Sequence, residues 1–218
     1  MTLRAEKTLV SLGLALLLHP TFQAVAAVAS ARSIPPPVWL LTPVERSLAV
    51  VPVAVWVYLS WYPATAAVLL AGRETFRRAA LAYLLAFTVC IASHLLFPVT
   101  IDRPELADGA GISAALLRAV YTADRPINLF PSFHAAVAAV LWRLRPTSRL
   151  SSAAVSTWVI VLSLACVLTK QHYVLDVVAG LAVGGIAVTI VDAVRSVVAF
   201  SARLTPSSPP TARSETAE

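Results

Sequence analysis

QHYVLDVVAGLAVGGIAVTIVDAV, residues 171–194, runs for 24 residues with Asp176 and Asp192 as its only Asp, Glu, Lys or Arg. A helix crosses the hydrocarbon core of a bilayer with about 20 predominantly apolar residues at about 1.5 Å of rise each. This stretch is long enough, and it is one of six. Thr8–Ala31 (24 residues), Ser47–Gly72 (26), Ala79–Ile101 (23), Pro126–Trp142 (17) and Leu150–Thr169 (20) also contain no charged residue. The expected fold is therefore all-α: a polytopic membrane bundle of six transmembrane helices, the fourth of them short.

Composition agrees. Of 218 residues 58% are hydrophobic and only 13% charged, where a soluble domain carries about 25% charged residues. Mean hydropathy is +0.79. Cys90 and Cys166 both sit in apolar runs, which leaves neither a disulfide scaffold nor a cysteine-rich zinc site. The formal net charge of +6 reads as topology rather than as a nucleic-acid footprint. With the N-terminus inside, the inner side receives Arg4, Lys7, Arg73, Arg77, Arg78, Arg143, Arg145, Arg149, Arg195, Arg203 and Arg213. The outer side receives Arg32, Arg46, Arg103, Arg118, Arg125 and Lys170. Eleven against six places both termini inside, and the inner clusters suit contact with anionic lipid. The expected location is a plasma or inner membrane.

Residues 1–203 read as one domain and 204–218, rich in Ser, Pro and charge, as a disordered cytoplasmic tail. The first run has basic Arg4 and Lys7 before it and small residues near Ser30. It is read as an uncleaved span, with a cleaved signal peptide as the alternative. The longest connection, residues 98–129, lies outside. In it Ile112, Ala115, Leu116, Ala119 and Val120 fall at helical spacing, either as a short surface helix or as a packed connector.

Four histidines need placing. His19 stands beside Pro20, and His94 is near the outer end of the third run; both read as hydrogen-bonded or interfacial. His134 and His172 each open an apolar run on the outer side, so both lie at similar depth. Asp176 follows His172 by four residues, a spacing that on a helix puts both on one face. A lone carboxylate inside a membrane costs at least about 2.5–3.5 kcal/mol on insertion scales and should have a partner. A His172 that donates Nδ1–H to Asp176 would supply one and leave Nε2 free as a nucleophile. Three alternatives stay open: an Asp176 satisfied by backbone or tilted toward water, a two-His, one-carboxylate metal site, and a Ser132 nucleophile, which lacks a nucleophile-elbow sequence. Arg103, Arg125 and Lys170 lie on the same side and call for an anion, with phosphate the natural ligand. Ser132 at the start of the fourth run adds a helix N-terminus that favours one.

Arg103-Pro104, Pro131-Ser132-Phe133-His134 and His172-x-x-x-Asp176 followed by Gly180 resemble the type 2 phosphatidic acid phosphatase superfamily over about residues 33 to 190. Phe130-Pro131-Ser132-Phe133-His134, Lys170-Gln171-His172-Tyr173, Ile34-Pro35-Pro36 and Trp56 to Pro63 are similar to its inositol phosphorylceramide synthase and sphingomyelin synthase branch. The resemblance implies a six-helix fold with a metal-free, cofactor-free site facing outward. It implies that His172 attacks phosphorus, Asp176 orients it, His134 protonates the leaving oxygen, and Arg103 and Ser132 hold phosphate oxygens. The sequence departs from the family at three positions, with Leu96 for a lysine and Ala165-Cys166 for Ser-Arg; two phosphate-binding cations are thus missing, and Lys170 and Arg125 are the candidate substitutes.

The expected activity is cleavage of a membrane lipid phosphate, a phospholipid or polyprenyl phosphate, through a phosphohistidine. The group then passes to inositol or another alcohol, or, in the alternative, to water. A non-catalytic membrane or transport protein is the reading from another class. A transporter of the usual kind shows broken half-helices or an internal repeat, and neither is legible.

Overall fold

The computed structural model describes residues 2–107 and 109–204. The expected tail lies outside the described residues. Among these residues the fold is all helix, apart from one isolated parallel bridge between Ile34 and Val99. Helix α1 spans Leu3–Ser30, opened by Thr2, whose Oγ1 accepts from the Ala5 amide at 3.3 Å. A short α2, Pro43–Ser47, follows. The second apolar run is interrupted: a 3-10 turn at Pro52–Ala54, α3 at Val55–Leu59, α4 at Trp61–Ala66 and a second 3-10 turn at Ala67–Leu70. Then come α5 at Arg73–Leu96, α6 at Ile112–Ala123, α7 at Phe133–Arg143, α8 at Arg149–Leu168 and α9 at Val174–Leu204.

Five segments are long and apolar enough to cross a membrane: Leu3–Ser30, Pro52–Leu70, Arg73–Leu96, Arg149–Leu168 and Val174–Ala202. The fourth of the six expected spans forms α7, which at 11 residues is only about 16 Å long. Its situation explains the brevity. Ala135, Ala136, Val137, Ala138, Ala139 and Val140 are all buried, so α7 is a central pin packed against α5, α8 and α9 rather than a lipid-facing span. The segment predicted between residues 112 and 120 is a helix that also packs: Ala114 and Leu117 of α6 are buried, and Ser113 Oγ accepts from the Trp56 indole at 3.0 Å.

Small residues set the spacing at the centre. A Cβ built on Gly180 would stand 2.2 Å from the Ser132 carbonyl oxygen, and one on Gly184 would stand 2.0 Å from that of Ala136. Only glycine lets the α9 backbone lie this close to α7. α5 packs on α9 at the far end. There Arg78 grips Asp192 with two bonds of 2.8 and 2.9 Å, which answers the second carboxylate of the 171–194 run. Glu6 pairs with Arg73 and Arg77, and Arg195 with Glu74. Lys7 Nζ donates to the Leu69 and Ala71 carbonyls at 2.5 Å each. The basic clusters at the starts of α1, α5 and α8 thus collect at the end of the bundle away from His134 and His172.

Gly184→Ala should destabilise the fold by about 1–3 kcal/mol or more, as overpacking does. Gly185→Ala, with nothing within 4 Å of its Cβ position, should match or exceed the parent. Thermal unfolding in detergent checks both; equal melting of the two variants would remove the α7–α9 contact from its central place.

Candidate active site

Helix α8 ends in a Schellman motif. Lys170 adopts a left-handed φ of 52°, its amide donates to the Val167 carbonyl, and the Gln171 amide to that of Cys166, both at 3.0 Å. This turn, rather than a helix, carries His172: α9 begins two residues later. The expectation that His172 and Asp176 share a helix face is corrected accordingly. Asp176 lies in the first turn of α9, where its Oδ2 accepts from the Tyr173 amide at 2.8 Å. That bond draws the carboxylate toward the helix start. His172 Nδ1 remains 3.6 Å from the same oxygen, an ion-pair distance beyond ordinary hydrogen-bond reach. Asp176 is fully buried, and its Oδ1 has no hydrogen-bond partner among the described residues.

The start of α7 is held from three sides. Ser132 caps it, its Oγ accepting from the Ala135 amide at 3.3 Å. The Ser132 amide donates to the Asp176 carbonyl at 2.9 Å. From α5, Ser93 Oγ donates to the Phe130 carbonyl at 2.9 Å, and His94 Nε2 lies 3.1 Å from that of Pro131. His94 is thus the hydrogen-bonded histidine the sequence implied. His134, on the first turn of α7, has Nδ1 3.2 Å from His172 Nε2. Its other nitrogen, Nε2, is 2.9 Å from the Tyr58 hydroxyl, and the Trp61 ring meets it edge-on at 4.8 Å between centroids. Residues 38 positions apart in sequence have met, their rings edge-on with centroids 5.4 Å apart.

Arg103 approaches the pair through Gln171. Its Nη2 donates to Gln171 Oε1 at 2.7 Å and Nη1 to the Asp124 carbonyl at 2.5 Å, while the guanidinium stacks 4.8 Å from the Tyr121 ring centre. Arg103 Nε has no hydrogen-bond partner among the described residues. Burial, reinforced by the Arg103 charge and opposed by the Leu129 backbone, pulls the His172 pKa down to about 3. At neutral pH its imidazole is therefore uncharged and keeps a lone pair. Burial pushes Asp124 up to about 6, against the pull of Arg103, whose Nη2 is 3.8 Å from its carboxylate.

Both histidines line the upper end of an apolar cavity of about 570 Å³. One stripe of α1 walls it (Ser11, Ala15, Leu18, Phe22), facing Tyr62 and Phe76. From Ser11 to Phe22 that stripe is about 16 Å long. The other candidates are placed as follows. Ser132 is fully buried and spent on its cap. Lys170 Nζ donates to the Glu45 carbonyl at 3.2 Å and lines a smaller pocket of about 230 Å³ with Glu45, Asp102 and His172. Arg125 is exposed, 3.5 Å from Ser30 Oγ, and does not line the cavity. The structure brings His134, His172, Asp176 and Arg103 together; Arg125 is apart, and Lys170 is on the other side of His172. Leu96 is 85% exposed, while Ala165 and Cys166 are buried, so none of the three departures supplies a polar group. Sequence reasoning missed Tyr58, Gln171 and Asp124. Gln171 could have been found from its place beside His172; the others carry no local signal. No group of three or more His, Cys, Asp or Glu placed to hold a metal occurs among the described residues.

The PAP2 superfamily profile matches residues 23–190. No curated protein matches the chain. Among solved structures, the crystal structure of Aquifex aeolicus LpxE is similar over 64% of this chain and 83% of its own, at 15% identity and a TM-score of 0.49.

Above about pH 6 the Asp124 carboxylate competes with any anion drawn to Arg103; below it the neutral acid does not. Asp124→Asn should therefore tighten inorganic phosphate binding severalfold at about pH 7.5 and leave it unchanged near pH 5. The measurement is the phosphate-dependent rise in unfolding temperature. An equal effect at both pH values would separate Asp124 from the anion.

Proposed function

The chain belongs to the PAP2 superfamily, and from that premise we propose that it is a membrane lipid phosphatase working through a phosphohistidine on His172. The observation that carries the reading is the 3.2 Å meeting of His134 and His172 in the wall of a lipid-sized apolar cavity. A lipid phosphate placed with its chain along the α1 stripe brings its headgroup to the two imidazoles and to Arg103. His172 Nε2, uncharged, is the nucleophile. The nearby Asp176 carboxylate stabilises the positive charge that the ring acquires as the N–P bond forms. His134, across the phosphorus, hands a proton to the leaving oxygen. Arg103 and Gln171 offset charge on the phosphoryl oxygens, since such transfer depends on positioning and electrostatics more than on covalent assistance. Water then attacks the phosphohistidine from the side the leaving group vacated.

Transfer to an alcohol is the second reading. It is favoured by Phe130-Pro131-Ser132-Phe133-His134 and Lys170-Gln171-His172-Tyr173, which resemble the inositol phosphorylceramide synthase branch. The excess of Lys and Arg at the opposite end of the bundle supports a site on the outer face.

The purified protein and sealed membrane vesicles of both orientations, given labelled phosphatidic acid and a polyprenyl phosphate with and without inositol, test these readings together. Release of inorganic phosphate, unaffected by inositol and confined to vesicles whose outer face is accessible, is the expected outcome. Vanadate should inhibit, and a chelator should leave the rate unchanged. A labelled inositol phosphate product would shift the assignment to transferase. No product with either lipid would refute both, and activity confined to inverted vesicles would reverse the orientation.

A further inference from the structure

His172 has a carboxylate behind it; His134 has a phenol. Tyr58 sits on α3, in the interrupted second run, 76 residues from His134, and is only 3% exposed. Among the described residues its hydroxyl is hydrogen-bonded to His134 Nε2 alone, at 2.9 Å, with the two ring centres 4.9 Å apart. Resting on the phosphohistidine reading above, we propose that Tyr58 is a positioning residue of the reaction, holding His134 with Nδ1 facing His172 and the phosphorus between them.

The hydrogen-bond inventory fixes the resting arrangement. If His134 carried its proton on Nε2 and donated to Tyr58, the phenolic proton would have no acceptor among the described residues and would face the apolar cavity, which is costly while that cavity holds no phosphate. With Tyr58 donating, His134 carries its proton on Nδ1 and gives it to His172 Nε2. That nitrogen is then an acceptor with an available lone pair, and the His172 proton lies on Nδ1, toward Asp176. Two groups thus donate in one direction, Tyr58 to His134 and His134 to His172, and His172 points its Nδ1–H at the buried carboxylate 3.6 Å away. The nucleophilic lone pair is covered until a phosphate separates the rings.

The same phenol serves the reacting state, because a tyrosine hydroxyl both donates and accepts. As a lipid phosphate monoanion enters, its P–OH proton passes to the Tyr58 oxygen, which lines the cavity, while the phenolic proton moves to His134 Nε2; the imidazolium then donates Nε2–H to that oxygen, whose new proton points into the cavity. His172 Nε2 forms its bond to phosphorus, and the P–O bond to the leaving group breaks. The electron pair stays on the leaving oxygen, which takes the Nδ1 proton of His134 and departs as an alcohol. His134 is left neutral, with a bare Nδ1 facing the phosphohistidine and Nε2–H still held by Tyr58. Its Nδ1 then takes a proton from the attacking water; the N–P bond breaks, its pair returning to His172, and the departing phosphate takes the Tyr58 proton as Nε2–H passes to the Tyr58 oxygen, which restores the resting Nδ1–H form of His134. A carboxylate in place of Tyr58 would hold His134 protonated in both halves; a neutral phenol lets it alternate.

The test is Tyr58→Phe in the purified, full-length protein, which removes one oxygen and keeps the ring. Leaving-group release is followed in the first turnover for an alkyl lipid phosphate and for an activated aryl phosphate. The alkyl rate should fall roughly 10- to 100-fold with KM little changed, and the aryl rate should hold within about twofold, since its leaving oxygen needs no proton. In parallel, ¹⁵N-histidine NMR should find His134 in the Nδ1–H form in the parent and in mixed forms in the variant. Equal loss on both substrates, no loss on either, or an unchanged His134 tautomer would overturn the proposal. A parent protein inert toward both substrates would instead count against the phosphatase reading, and the tautomer measurement would still decide the role of Tyr58.

Discussion

The close approach of α9 to α7 governs the site. At Gly180 and Gly184 the backbone of one helix rests on the carbonyls of the other, at distances that leave no room for a Cβ. In the same seam the Ser132 amide donates to the Asp176 carbonyl. This bond ties the first turn of α7 to the first turn of α9, so His134 and the turn that carries His172 have a fixed separation. Without a hydrophobic drive between helices in lipid, close packing of small residues is what holds such a seam. Alanines along α7 extend it, and the flanking clusters around Val140 and Val188 and around Leu162 and Val177 complete it.

Around that rigid pair the electrostatics are asymmetric. His172 is buried, near Arg103, and uncharged at neutral pH. Asp176 is buried with one oxygen committed to the Tyr173 amide and the other without a hydrogen-bond partner among the described residues. Such a group is poorly satisfied in the resting protein and better satisfied when a positive imidazole develops beside it. Unpaired buried polar atoms are expected where the surrounding structure has a task other than stability. Arg103 Nε and Gln171 Nε2 belong to the same class; Gln171 lines the cavity and Arg103 is bonded to it from behind.

The bundle was legible in the sequence because charge is expensive in lipid, and so the uncharged runs mark the helices. The pairing of His134 with His172 was legible because each opens an apolar run on the same side. What failed was local geometry. A four-residue spacing implied one helix face, but the C-cap of α8 intervenes and places His172 on a turn. Lys170 was a plausible anion ligand by depth, yet its left-handed conformation sends the side chain to the Glu45 carbonyl. Arg125 was plausible on the same ground of depth, yet it lies beside Ser30 at the end of α1. Tyr58 and Asp124 were not legible at all, since their places arise from contacts between segments far apart in the chain. The 11 residues of α7 were visible as a short run, but their central burial was not.

The account turns on which imidazole takes the phosphoryl group. Purified protein turned over briefly with a lipid carrying labelled phosphate, quenched in alkali and cleaved to peptides, would read it directly. An acid-labile, base-stable label on the peptide that contains His172, absent from His172→Ala protein, is the predicted result. Label trapped on His172→Ala protein, or carried by the peptide that contains His134, would contradict the account.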